Sequence, residues 1–139
     1  MFRKILLAND GSDGAFKALA VALDLARLTG AELHMISVEE LPQFPEIIEE
    51  VKAEKSAADR RYGDVVRRAR AVAGEAGVKL AVHVITGHPV HSIIDYAADL
   101  DADLLVVGAT GHSTIFARML GTRADRIVEM AACSVLVVK

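Results

Sequence analysis

Two kinds of segment alternate along the chain. The first is short, apolar and rich in β-branched residues: Lys4 to Ala8, Leu33 to Val38, Lys79 to Ile85, Leu104 to Val107 and Val135 to Val138. Several are almost continuously apolar, as strands covered on both faces must be. The second kind has helical spacing. Phe16, Leu19, Ala20, Leu23 and Ala26 fall at offsets 0, 3, 4, 7 and 10. Val90, Ile93, Ile94 and Ala97, and again Ala124, Ile127, Val128 and Ala131, fall at 0, 3, 4 and 7. Each set forms one stripe of an amphipathic helix. Ser12 or Asp13 can cap the first helix and Gly30 can close it. Pro89 suits a first helical turn. Thr122 with Asp125 makes a weak capping box for the last helix.

Glu46 to Ala76 is charged and Ala-rich and reads as a helix with a solvated face, Gly63 being the place for a bend. The segment before it, Leu41 to Pro45, carries two prolines and reads as a loop. Strict alternation of strand and helix predicts a three-layer α/β/α domain over 1–139 with a doubly wound, five-stranded parallel sheet, a Rossmann-like plan. In such sheets ligands bind beyond the C-terminal strand ends, where the strand order reverses. The usual order sets the first strand beside the fourth. The segments after Ala8 and after Val107 are therefore where chemistry is expected.

Composition narrows the classes. In 139 residues, 53% are hydrophobic and 25% charged, enough for a self-sufficient core. Sixteen basic and 19 acidic residues leave a net charge of −3, so nothing drives the chain toward nucleic acid. Aromatic residues are 4%, too few for base-stacking platforms. The lone Cys133 excludes an internal disulfide or a multi-cysteine metal site. No apolar run approaches the roughly 20 residues that span a bilayer, so no membrane insertion is expected. The opening MFRKILLANDG is unlike a signal peptide. Together these lead to the expectation of a cytoplasmic protein.

After the fourth strand the sequence reads VVGATGHSTIFARMLGTRADRIVE. Gly108 and Gly111 let backbone amides approach a ligand, and the helix near Thr122 offers amides and a positive dipole end. Thr110, Ser113 and Thr122 add hydroxyls, while His112, Arg118 and Arg123 add positive or potential charge. That set suits a polyanion. From spacing alone, a plain turn and a plain helix start serve equally well as readings of these glycines. After the first strand, Asp10 can accept hydrogen bonds from a ribose or hold a metal on phosphates. The alternative for Asp-Gly-Ser-Asp is an Asx-turn with a helix cap. We assign Asp10 to function and Asp13 to capping.

Other clusters read as structural. His88, His91 and Asp95 have ligand spacing but no evident further ligand. His34 and His83 lie within strands, and Cys133, before an apolar strand, reads as buried rather than reactive. Asp99, Asp101 and Asp103 read as a solvated helix end, and Arg67, Arg68 and Arg70 as a solvated helix face. The uninterrupted Val135–Val138, at the sheet's expected edge, invites pairing with a second copy.

Gly108-x2-Gly111-x9-Gly121-Thr122, together with the opening KILLANDGSDGAFKAL, resembles the universal stress protein family, in its ATP-binding branch with the pattern G-x2-G-x9-G-[S/T]. The likeness extends through Gly87-His88-Pro89, the run Asp101 to Gly108 and Cys133 to Val138. It implies strand order 3-2-1-4-5, a homodimer through the last strand, and ATP (or ADP or AMP) with Mg²⁺ or Mn²⁺. It places Asp10 by the nucleotide and Val38 against adenine, and matches Gly108, Gly111, Gly121 and Thr122 to the phosphate motif. Ala8, Ser12, Thr110, His112, Arg118 and Arg123 complete the expected site. Asn9 and Ser134 depart from the usual pattern, and Asn9 bears on how Asp10 points. The implied function is a nucleotide-binding regulatory stress-response protein that signals through its dimer or an unidentified protein partner. A slow ATPase or adenylating enzyme, and a nucleotide-free interaction protein, are the alternatives. No lysine lies between Gly108 and Thr122, so hydrolysis is expected to be slow at most.

Overall fold

The architecture comes from a computed structural model. It describes residues 1–40, 48–110 and 120–139, with backbone alone for 48–56 and 58. Five strands and four helices alternate among the described residues: β1 (Lys4–Ala8), α1 (Asp13–Thr29), β2 (Glu32–Glu39), α2 (Ile48–Glu75), β3 (Leu80–Thr86), α3 (Pro89–Leu100), β4 (Leu104–Gly108), α4 (Thr122–Met130) and β5 (Ser134–Val138). All pairings are parallel, in the order β3-β2-β1-β4-β5. The expected doubly wound fold is the observed one. β5 takes the predicted edge.

The strands read as unbroken apolar runs because each faces two cores. Ile5 and Leu7 of β1, with Leu104 and Val106 of β4, pack under α1 and α2. Leu6 of β1, with Leu105 and Val107 of β4, packs under α3 and α4. β1 and β4 are thus neighbours whose following helices leave to opposite faces. A cleft opens where they part.

The helical stripes are rotated slightly from expectation. α1 buries Ala15, Ala18, Leu19, Ala22, Leu23 and Ala26. Ala20 is exposed. Four alanines on the inner face let α1 lie close to the sheet, so the small side chains, not only the large ones, mark its buried side. In α4 Val128 is 45% exposed, which leaves Ala124 and Ile127 as the buried pair. Ser12 caps α1 by accepting from the Ala15 amide at 3.2 Å, and Gly30 closes it in the left-handed region at φ 71°. Asp13 sits inside the first turn rather than at the cap. α2 runs through Gly63 as one helix. The loop predicted at Leu41–Pro45 lies outside the described residues.

Two charged sets prove less solvated than their composition suggests. The Asp103 carboxylate accepts from the amides of Arg3 (2.8 Å) and Lys4 (3.2 Å), pinning the start of β1. Arg68 lies 3.7 Å over the Phe16 ring and joins α2 to α1. Each acidic or basic run was read as one solvated face, but single members reach across to other elements.

On the α3 face of β2 and β3, Nδ1 of His34 lies 3.5 Å from Nε2 of His83, with ring planes 14° apart. One proton bridges such a pair; two would meet head to head. Glu32 reaches the far nitrogen of His34 at 3.3 Å, and Tyr96 of α3 packs on the His83 ring. Burial, then the neighbouring His34, lowers the His83 pKa below its ordinary 6.5. The folded state therefore holds fewer protons here than the unfolded chain. This contribution to stability is present above pH 6.5 and is lost as pH falls below it. We expect the Tm to fall between about pH 7 and pH 5, and to fall less in His83→Gln, as read by circular dichroism melts at both pH values.

Candidate functional site

The turn after β1 is built by Asn9 and Ser37. Asn9 is 2% exposed. Its amide donates to the Ile36 carbonyl (2.9 Å), its carbonyl accepts from Ser37 Oγ (2.7 Å), and its Oδ1 accepts from the Gly11 amide (2.9 Å). Its Nδ2 contacts Met35 Sδ at 3.5 Å. Asn9 thus ties the end of β1 to β2 from the α1–α2 side, and the next residue, Asp10, lines the cleft. Asp10 Oδ1 also accepts from the Ser12 amide at 3.0 Å, so the Asx-turn reading holds alongside a place in the cleft. Gly11 has φ +85°, and a Cβ there would stand 2.8 Å from Val65 Cγ2. The turn needs glycine on both counts.

The cleft measures about 730 Å³, counting its open mouth. Ile36 and Val38 of β2, Ala8 of β1 and Val107 of β4 form an apolar floor, with Pro89 and Ile93 of α3 beside it. Gly108, Thr110, Gly121, Thr122, Arg123 and Ala124 line the far wall. Of the twelve residues expected at the site, Ala8, Asp10, Ser12, Val38, Gly108, Thr110, Gly121, Thr122 and Arg123 all meet here. Gly111, His112 and Arg118, with Ser113, lie outside the described residues. Ser12 already accepts from Ala15 but keeps a hydroxyl hydrogen to donate.

The glycines work differently from the sequence expectation. Neither Gly108 nor Gly121 adopts positive φ. A Cβ on Gly108 would meet the Gly14 carbonyl at 2.8 Å, and one on Gly14 would meet the Thr110 carbonyl oxygen at 2.5 Å. These glycines let the first turn of α1 touch the end of β4. The Gly121 amide donates to the Ala109 carbonyl at 2.7 Å, so it is engaged within the fold. Gly121, not Thr122, is the α4 N-cap, and it makes no side-chain cap. Thr122 is the first helical residue, and the expected capping box does not form. The first return bond of α4 runs from the Asp125 amide to Gly121. Helix geometry therefore leaves the amides of Thr122, Arg123 and Ala124 without an intrahelical acceptor. These three line the cleft.

Sequence reasoning missed Asn9 as an anchor and missed Glu40. Glu40 Oε1 meets Arg123 Nη2 at 2.9 Å, joining the end of β2 to the start of α4. Buried Asn in an apolar run was the available signal for the first. A partner 83 positions away gives none for the second. Cys133 is half-buried beside the α3–α4 core, and burial raises its thiol pKa, as befits a structural cysteine. Among the described residues no three His, Cys, Asp or Glu side chains gather as metal ligands, and no helix is long and apolar enough to cross a membrane.

The whole length of the chain, residues 1–139, matches the universal stress protein family model. The chain belongs to the universal stress protein family. It is 31% identical over 151 residues to the universal stress protein YxiE of Bacillus subtilis, covering 100% of both chains. The solved universal stress protein UspA from Lactobacillus plantarum superposes with a TM-score of 0.91 at 26% identity, over 99% of this chain and 98% of that one. A universal stress protein solved in complex with cAMP superposes with a TM-score of 0.77 at 26% identity, over 99% and 97% of the two chains.

The glycine contacts make a direct prediction. Gly108→Ala and Gly14→Ala force backbone against backbone and should each destabilise by about 1–3 kcal/mol. Gly74→Ala, in α2 with nothing within 4 Å of the new Cβ, should instead stabilise by about 0.4–1 kcal/mol. Urea unfolding of the three variants checks the opposite signs.

Proposed function

We propose that the cleft binds an adenine nucleotide, ATP or the related ADP or AMP, and that the protein is a regulatory module whose contacts change with occupancy. The observation that carries this reading is the meeting, in one cleft, of an apolar floor with the exposed-amide end of a helix. Ile36, Val38 and Val107 suit a planar base. The Thr122, Arg123 and Ala124 amides suit phosphate oxygens, favoured further by the helix dipole. Asp10, also in the cleft, would offer its carboxylate to a ribose hydroxyl or to a phosphate-bound Mg²⁺ or Mn²⁺. The residues present fit such a group. The cAMP complex of a relative sharing 26% of its sequence supports an adenine ligand in this family.

The chain offers the phosphates no lysine in the Gly108–Thr122 segment, which favours holding a nucleotide over hydrolysing it. Signalling would then pass to a second copy through Val135–Val138 of the edge strand, or to another protein. Cytoplasmic residence is part of this reading.

Calorimetric titration with ATP, ADP and AMP, with and without Mg²⁺, tests it. Ala8→Phe fills the floor and should weaken binding at least about tenfold, equal to about 1.4 kcal/mol, with the ligand-free Tm little changed. Neither heat nor a thermal shift at millimolar nucleotide overturns the reading.

A further inference from the structure

Glu40 reaches Arg123, one of the residues that line the cleft. Glu40 directly follows β2, and Arg123 is the second residue of α4 and lines the cleft. Their 2.9 Å ion pair crosses beyond the end of β1, the strand between β2 and β4. The Arg123 and Glu40 side chains are 51% and 56% exposed. An ion pair so open to water is weak and exchanges readily. A phosphate offers a guanidinium the same bidentate oxygens as a carboxylate, with more charge. A phosphate arriving at the α4 N-terminus and the Glu40 carboxylate therefore compete for one cation.

Resting on the nucleotide reading of this cleft, we propose that Glu40 is a specificity-determining residue that narrows the preference for highly phosphorylated nucleotides. It acts in two ways. It holds Arg123, and it places a negative charge beside a residue that lines the cleft. Both penalties grow with the charge on the ligand, so both fall harder on ATP than on AMP and spare adenosine. The pair also links the end of β2 to the start of α4, so a polyphosphate that takes Arg123 releases that link. Asp10 adds a second carboxylate to the same cleft and sets a background that Glu40 variants leave unchanged.

The test is titration of ATP, AMP and adenosine against wild type, Glu40→Gln, Arg123→Gln and the double variant. Glu40→Gln should tighten ATP about two- to fivefold, AMP less, and adenosine not at all. The gain should shrink in the Arg123→Gln background, and it should shrink as salt rises from about 0.05 to 0.5 M. If Glu40→Gln leaves the ATP-to-AMP ratio at its wild-type value, Glu40 has no such role, while the nucleotide site stands; if it acts in full without Arg123, the competition for Arg123 is overturned. If wild type binds none of the three ligands, the nucleotide reading falls and this inference falls with it.

Discussion

The molecule depends on one contact that tolerates almost no added volume: the first turn of α1 against the end of β4. β1 and β4 are neighbours, and the chain leaves them toward opposite faces of the sheet. The two departures must pass each other closely for the sheet to stay continuous. Gly14 and Gly108 make that passage possible, because each would drive a Cβ into the other side's backbone. The cleft is the space left on the α3–α4 side once the passage is made. A ligand site at this position is thus a by-product of topology before it is a matter of particular side chains.

Topology alone does not aim the functional groups. Asn9 does part of that. Its three backbone-directed bonds fix the end of β1 to β2 and set the turn from which Asp10 meets the cleft. A polar residue at 2% exposure is costly unless satisfied, and here its bonds are made. α4 supplies the opposite wall, its N-terminal amides turned to the same space. One wall is apolar and the other is polar and partly cationic, which matches a ligand with a flat base at one end and an anion at the other.

The fold was legible because strands buried on both faces leave unbroken apolar runs, and Ile5 to Leu7 and Leu104 to Val107 are such runs. The nine expected residues that line the cleft could be located for a related reason: strand ends and helix starts are marked locally, by Asp10 and Ser12 or by Gly121 and Thr122. What the sequence did not disclose depends on pairs. Asn9 with Ser37, Asp103 with the start of β1, His34 with His83 and Glu40 with Arg123 each need register or crossing to bring them together. Periodicity reports whether a residue is buried, never what it touches. The glycines sit between the two cases. Their positions were plain, but whether Gly108 served a ligand or a neighbouring helix required coordinates, and its closest neighbour is helix backbone.

One residue ties the cleft to the rim of the sheet. The Ala109 amide donates to the Val138 carbonyl at 2.8 Å, while the Ala109 carbonyl accepts from Gly121. The two groups lie on consecutive peptide planes that meet at the Ala109 Cα, so only the φ and ψ of one buried residue separate them. A tilt of α4's leading turn is therefore felt first at the residue that also anchors the outermost strand. The last strand is accordingly no passive border, since the residue that holds its final hydrogen bond also holds the start of the helix that lines the cleft.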